Sequence, residues 1–184
     1  MNRDPAMTRL TTERLILRPW REEDLPDLAR INADPRVMEH FPSVMSEEES
    51  RAMLARLMRH QREHGFAPLA MVRTGSERVI GCAGLQVPAF AADFTPCVEI
   101  AWRLDADHWG QELATEAARA ALEDGFGRLG LAEILSFTVP ANRRSWRLME
   151  RLGMRRDPAA DFDHPGLPPG HRLSRHWLYR LRRD

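Results

Sequence analysis

After Gly65 the chain changes period. Three short runs, Ala67 to Val72, Val79 to Val87 and Cys97 to Leu104, read as strands, and only Thr74-Gly75-Ser76 and a loop from Pro88 to Pro96 separate them. Successive strands with no helix between them suggest an antiparallel meander. A different pattern follows. From Gln111 to Leu129, the rows Leu113, Ala117, Ala121 and Ala114, Ala118, Leu122 recur at helical spacing. Small side chains on that face imply a helix pressed closely onto a sheet.

The flanks complete the pattern. Arg14 to Arg18 alternates and stops at Pro19, as a short strand would. Asp24 is placed to cap a helix that has Pro26 in its first turn and Leu25, Leu28, Ala29 and Ile31 at helical spacing. Ser46-Glu47-Glu48-Glu49 has capping-box spacing and opens a longer helix with Met53, Leu54, Leu57 and Met58 on one stripe. Beyond the Ala-rich helix come a strand from Ile134 to Val139, a helix from Arg143 to Leu152 ended by Gly153, and a last strand from His176 to Leu181. The order β-α-α-β-β-β-α-β-α-β describes an α/β domain over residues 11–184, a mixed sheet covered by helices, after a loose leader over residues 1–10. The Pro- and Asp-rich stretch from Asp157 to Gly170 is the longest irregular segment and is expected near the active face.

Bulk properties narrow the partners. The 184 residues are 43% hydrophobic, enough for one core without staples. Lys plus Arg equals Asp plus Glu at 27 each, so no uniform field favours nucleic acid or an anionic membrane, although Arg143, Arg144, Arg147, Arg151, Arg155 and Arg156 form a local basic cluster. Cys82 and Cys97 lie in strand-like runs with no metal-ligand partners and read as reduced, buried thiols. No metal is expected. The N-terminal stretch has no apolar core of a signal peptide, and no run of about 18 apolar residues occurs, which points to a cytoplasmic protein without a membrane span. A homodimer is compatible with the sequence.

Chemistry concentrates in two places. Val98 to Leu104 is a strand that runs through a short turn into Trp109-Gly110-Gln111-Glu112-Leu113-Ala114-Thr115, where the Ala-rich helix opens. Unpaired N–H groups at a helix start, aided by its dipole, hold phosphate, and a pyrophosphate-bearing ligand suits such a turn. Glycine before an Ala-rich helix is also ordinary packing punctuation. The spacing fits neither a dinucleotide fingerprint nor a P-loop. The second place is Asn142-Arg143-Arg144-Ser145, where Asn142 caps a helix whose Trp146, Met149 and Leu152 face the core and Ser145 lies in the first turn.

Together these segments resemble the GCN5-related N-acetyltransferases, specifically the RimJ/RimL-like branch. The resemblance runs from Thr12-Glu13-Arg14-Leu15-Ile16-Leu17-Arg18 through Ile80-Gly81-Cys82-Ala83-Gly84-Leu85, Glu99-Ile100-Ala101-Trp102-Arg103-Leu104, Trp109-Gly110 and Ala114-Thr115-Glu116-Ala117 to Asn142-Arg143-Arg144-Ser145 and Leu152-Gly153-Met154. It implies a single domain with a mostly antiparallel mixed sheet, a splayed central strand and helices on both faces. It also implies that the backbone of Trp102, Arg103 and Leu104 holds the pantetheine arm of acetyl-CoA, and that Trp109, Gly110, Gln111, Glu112, Leu113, Ala114 and Thr115 hold its pyrophosphate. One position departs from the family pattern: Glu112 stands where the middle glycine of the phosphate turn is expected. A carboxylate there must turn to solvent or pair with a nearby arginine for the backbone donors to keep their role, and it is expected to point outward.

The implied reaction is direct attack of a neutral amine on the thioester. It requires a base for an ammonium (about 7.7–8.0 for an α-amine, about 10.4 for lysine), donors for the oxyanion, and a proton for the departing thiolate. By resemblance Ser145 serves the thiolate and Asn142 the pantetheine. Glu99 is the first candidate for the base and His164 the second, each having the plain alternative of a solvated or exposed side chain. The acceptor is a protein N-terminal α-amine of the ribosomal-protein type, or alternatively a small amine such as a polyamine, amino acid or antibiotic. A non-catalytic module on the same fold is the third reading, drawn from Glu112.

Overall fold

The computed structural model describes residues 9–183. Its strands are β1 (Leu10–Thr11), β2 (Leu15–Arg18), β3 (Pro68–Arg73), β4 (Val79–Gln86), β5 (Glu99–Leu104), β6 (Glu133–Thr138), β7 (Arg155–Arg156), β8 (Phe162–Asp163) and β9 (Arg175–Arg182). Its helices are α1 (Leu25–Ala33), α2 (Glu47–His64), α3 (Leu113–Gly127) and α4 (Arg143–Arg151). The sheet runs β1-β2-β3-β4-β5-β6-β9-β7, with β8 added on β9. Every pairing is antiparallel except that of β5 with β6.

Alternation in the strands divides the core by face. Ala70, Val72, Val79 and Cys82 turn toward Leu25 and Leu28 of α1 and Met53, Leu54 and Leu57 of α2. Their neighbours Leu69, Met71, Ile80 and Ala83 turn the other way, with Leu15 and Leu17, onto Leu113 and Ala117 of α3. Farther along that second face, Leu85, Ile100 and Ile134 meet Ala118, Ala121 and Leu122 of α3 and Leu148 and Met149 of α4. Ala117 and Ala118 are fully buried, so the small-residue face brings α3 against the sheet as its composition implies.

Several boundaries differ from the sequence reading for identifiable reasons. The Ala-rich helix begins at Leu113 rather than Gln111, because Glu112 adopts a left-handed backbone with φ 59° that α-helix cannot continue. Asp24 does not cap α1 with its side chain. Its carboxylate is drawn instead to Arg18, which donates two hydrogen bonds of 2.7 Å each, and to the Arg21 N–H at 2.8 Å. Ser46 and Glu49 do form the reciprocal capping box, at 3.2 and 2.7 Å. Residues 1–8 of the expected leader lie outside the described residues, while Leu10 pairs with Leu17 in β1. The Asp157 to Gly170 stretch is not wholly irregular: Phe162 and Asp163 pair with His176 and Arg175.

Candidate active site

The site begins where the parallel pair comes apart. β5 and β6 share one register pair, Glu99 with Leu135, reinforced by the Leu135 N–H donating to the Val98 carbonyl at 2.9 Å. One residue on, a side chain takes over: Ser136 Oγ donates to the Ile100 carbonyl at 2.9 Å. Beyond that point β6 pairs along its length with β9, and β5 keeps only β4. Ala101, Trp102 and Arg103 are therefore half-buried in the middle of a sheet, where a closed strand would be sealed. Main-chain polar groups along an open strand edge need partners, which a ligand with amide groups supplies.

β5 points its end at a turn with unspent donors. The Leu104 carbonyl accepts from Trp109 Nε1 at 2.9 Å, and the Asp105 carboxylate accepts from the Asp107 N–H at 3.1 Å and pairs with Arg30. Gly110 then takes φ 74° and Glu112 φ 59°, so the chain reverses twice before Leu113 anchors α3 in the core. The first intrahelical hydrogen bond runs from the Glu116 N–H to the Glu112 carbonyl at 3.0 Å, which leaves the N–H groups of Leu113, Ala114 and Thr115 without helical acceptors. Thr115 Oγ1 is buried with no hydrogen-bond partner, and the space beside Gly110 is open enough that an added Cβ would meet nothing within 4 Å. Arg14 holds the turn from behind through the Gln111 carbonyl at 3.0 Å. Glu112 is solvent-exposed, and the Arg144 guanidinium, paired with Glu39 at 2.8 Å, lies 4.1 Å over the Trp109 ring. These donors and this orphaned hydroxyl suit a diphosphate.

Across the gap stands the start of α4. The Asn142 carboxamide accepts from the Ser145 N–H at 3.2 Å and donates to Thr138 Oγ1 at 3.1 Å, so it is a true cap tied to the end of β6. The Ser145 hydroxyl makes no hydrogen bond among the described residues. Trp102 and Leu104 face α3, and Glu99 and Arg103 face the opposite side, toward α1 and α2.

Glu99 is only 7% exposed and accepts one hydrogen bond, from Gln86 Nε2 at 2.8 Å. Burial pushes its carboxyl up to about 7, and the Gln86 bond only partly offsets that. His164 lies elsewhere. Its ring packs 4.6 Å from Phe90 and 5.3 Å from His176, in a half-buried aromatic cluster with Phe94, Phe137 and Phe162. Burial lowers its pKa, and its Nδ1 accepts from the Gly166 N–H at 3.1 Å. No hydrogen bond joins His164 to Glu99 among the described residues. The aromatic cluster was invisible in the sequence because its rings come from two loops and three strands; only the alternation of Leu135 and Phe137 on β6 hinted at the side Phe137 would take.

A sheet parted beside a helix start with unpaired N–H groups, with a buried carboxyl on the parted strand, has the geometry that suits a coenzyme A-dependent acyltransferase. Comparison with known proteins makes this definite: the chain belongs to the GNAT acetyltransferase family, with residues 14–155 matching the Acetyltransferase (GNAT) domain. It is 28% identical over 173 residues to YnaD, an uncharacterized N-acetyltransferase of Bacillus subtilis, covering 94% of this chain and 95% of that one. Its fold matches an acetyltransferase from Agrobacterium tumefaciens with a TM-score of 0.78 at 25% identity, covering 100% of this chain and 99% of the other. The fold is also similar to RimL, a ribosomal L7/L12 α-N-protein acetyltransferase in complex with coenzyme A, with a TM-score of 0.75 at 15% identity over 95% of this chain and 98% of that one. The protein is an acetyl-CoA-dependent N-acetyltransferase. Among the described residues no cluster of three or more His, Cys, Asp or Glu could hold a metal, and no helix is long and apolar enough to cross a membrane.

Proposed function

We propose that the protein acetylates the α-amine of a protein N-terminus, in the manner of the RimJ/RimL-like branch. One observation carries the reading: Glu99 is buried on the parted strand with its carboxyl at about 7. A base of that strength is matched to an α-ammonium near 7.7–8.0 and is some three units short for a lysine near 10.4. The fold likeness to RimL agrees with it.

The residues take the following roles. Bound acetyl-CoA supplies a thioester carbonyl and a thiolate leaving group. The N–H groups of Leu113, Ala114 and Thr115, with Thr115 Oγ1, bind the diphosphate, and the open edge of β5 from Trp102 to Leu104 orients the pantetheine amides. Glu99 takes the proton from the incoming ammonium, directly or through one water. A β5 N–H hydrogen-bonds the acetyl carbonyl oxygen as charge gathers there. Ser145, its hydroxyl uncommitted, gives a hydrogen bond or proton to the sulfur. Asn142 positions Ser145 through the helix cap. His164 serves as base less well in this arrangement, because it is locked among aromatic rings by a hydrogen bond to its Nδ1.

The test is release of free coenzyme A with matched acceptors: tripeptides beginning with Ser or Ala, the same peptides with a blocked α-amine and a free lysine, and a panel of polyamines, amino acids and aminoglycosides. Turnover confined to free α-amine peptides is expected. Turnover of a small amine with none of any peptide would move the assignment to the small-amine class.

A further inference from the structure

Arg103 is a cation without a counterion among the described residues. On β5 it shares a face with Glu99, four residues away, and reaches beneath the loop that joins α1 to α2. Its Nη1 donates to the Oδ1 of Asn32, an amide that is fully buried and is itself fixed by donating to Ser50 Oγ at 3.1 Å. The sulfurs of Met53 and Met45 lie 3.5 and 3.9 Å from Nη1, and the Phe41 ring centroid lies 4.4 Å from Cζ. All of these are neutral. Among the described residues Nε is buried with no partner, and Nη2 makes no hydrogen bond yet is not sealed from solvent. No carboxylate takes part in its electrostatics; desolvation dominates, and the nearby Arg56 adds repulsion.

Arg18 shows how this protein treats a buried guanidinium that only stabilises the fold: it is forked onto Asp24 at 2.7 Å on both arms. Burying a charge with only neutral dipoles around it is costly, and a planar fork with one arm bound and one free is pre-set for an anion. The position suits an acceptor. The guanidinium lies on the face away from α3, hence away from the diphosphate turn, and on the face to which Glu99 turns. Above it, Phe41 and Val44 are the exposed large apolar side chains of the rim.

We infer that Arg103 is a specificity residue: it selects acceptors that carry an anionic group close to the amine, which for a protein N-terminus means an acidic side chain within its first few residues. The inference rests on the proposed acylation of an amine presented to Glu99. Along β5 the two positions are about 13 Å apart at roughly 3.3 Å per residue, a span that an extended peptide and two long side chains bridge within two to three residues.

The test compares Ser-Glu-Glu with Ser-Gln-Gln and Ser-Lys-Lys peptides on wild type, Arg103→Gln and Arg103→Glu, each checked for folding by circular dichroism. Wild type should prefer the acidic peptide over the amide peptide by about ten- to a hundredfold in kcat/KM, the range of a charge-assisted forked contact. In Arg103→Gln that ratio should fall to near one, and in Arg103→Glu the order should invert toward the lysine peptide, which loss of packing alone would not cause. Equal use of the acidic and amide peptides by wild type, or a preference that survives Arg103→Gln, overturns the inference. Calorimetric binding of the N-acetylated peptides with coenzyme A present reads Arg103 independently of turnover. If no peptide is acetylated, the N-terminal reading fails, yet tighter binding of the acidic product by wild type alone still supports the role of Arg103, and equal binding refutes it.

Discussion

Glu99 combines two consequences of one burial. Its folded pKa, about 7, lies above the ordinary 4.5, so between those values the native state holds a proton that the unfolded chain has released. Its contribution to stability is full below pH 4.5 and is lost as the pH rises through 7, by on the order of 3 kcal/mol at most. Glu99→Gln should therefore unfold at higher urea than wild type at pH 8 and at the same urea near pH 4. The same substitution should lower kcat/KM by about 10²–10⁴ and erase a rising limb centred near pH 7. A limb that persists in Glu99→Gln would belong to another group. At Ser145 the expectation is a split: Ser145→Ala should lower kcat by about tenfold or more while acetyl-CoA affinity by calorimetry stays nearly intact. At Glu112 backbone and charge point the same way. A left-handed non-glycine residue costs roughly 1–2 kcal/mol, and an exposed carboxylate sits near the phosphate donors, so Glu112→Gly should raise the melting temperature and tighten acetyl-CoA binding a few-fold. Acetyl-CoA binding seen only in Glu112→Gly would mean that the native side chain blocks the turn.

At the scale of elements, the site depends on how closely α3 lies on the sheet. Ala117 is fully buried against Leu15, Leu17 and Ile80, so Ala117→Leu must lift the helix start proposed to carry the phosphate donors. A cost of about 1–3 kcal/mol is expected from such overpacking, together with weaker acetyl-CoA binding, whereas the exposed Arg119→Leu should change neither. That dependence was legible in the sequence, because rows of alanine at helical spacing state the distance a helix keeps. The meander, the capping box at Ser46 and the cap at Asn142 were legible for the same reason, since each is a local pattern with a local cause. Two kinds of feature were not. Asp24 carries an N-cap signature, but a buried arginine six positions earlier, Arg18 on β2, outcompetes helix α1 for its oxygens. The parting of β5 from β6 was implied by the family resemblance alone: its local cause, Ser136 donating to the Ile100 carbonyl across the sheet, is a contact 36 residues apart in the chain that no periodicity encodes.

The whole molecule separates its tasks by face. The turn proposed for the diphosphate and α4 lie with α3 on one side of the sheet, while Glu99 and Arg103 turn to the side of α1 and α2. Two substrates that approach a parted strand from opposite faces meet only within it, which favours a ternary complex over a relay through an acylated side chain. The thiols argue the same way. Cys82 is buried with its pKa raised by desolvation, and Cys97 is pushed up to about 11 mainly by burial, so neither is a thiolate near neutral pH. Initial velocities measured by varying both substrates should therefore give intersecting double-reciprocal lines. Mass spectrometry of the enzyme incubated with acetyl-CoA alone should find no stoichiometric acetylated residue that a later amine discharges. Parallel lines, with a single acetyl group on Cys97 that transfers to acceptor and is lost in Cys97→Ala, would replace direct attack by a two-step path.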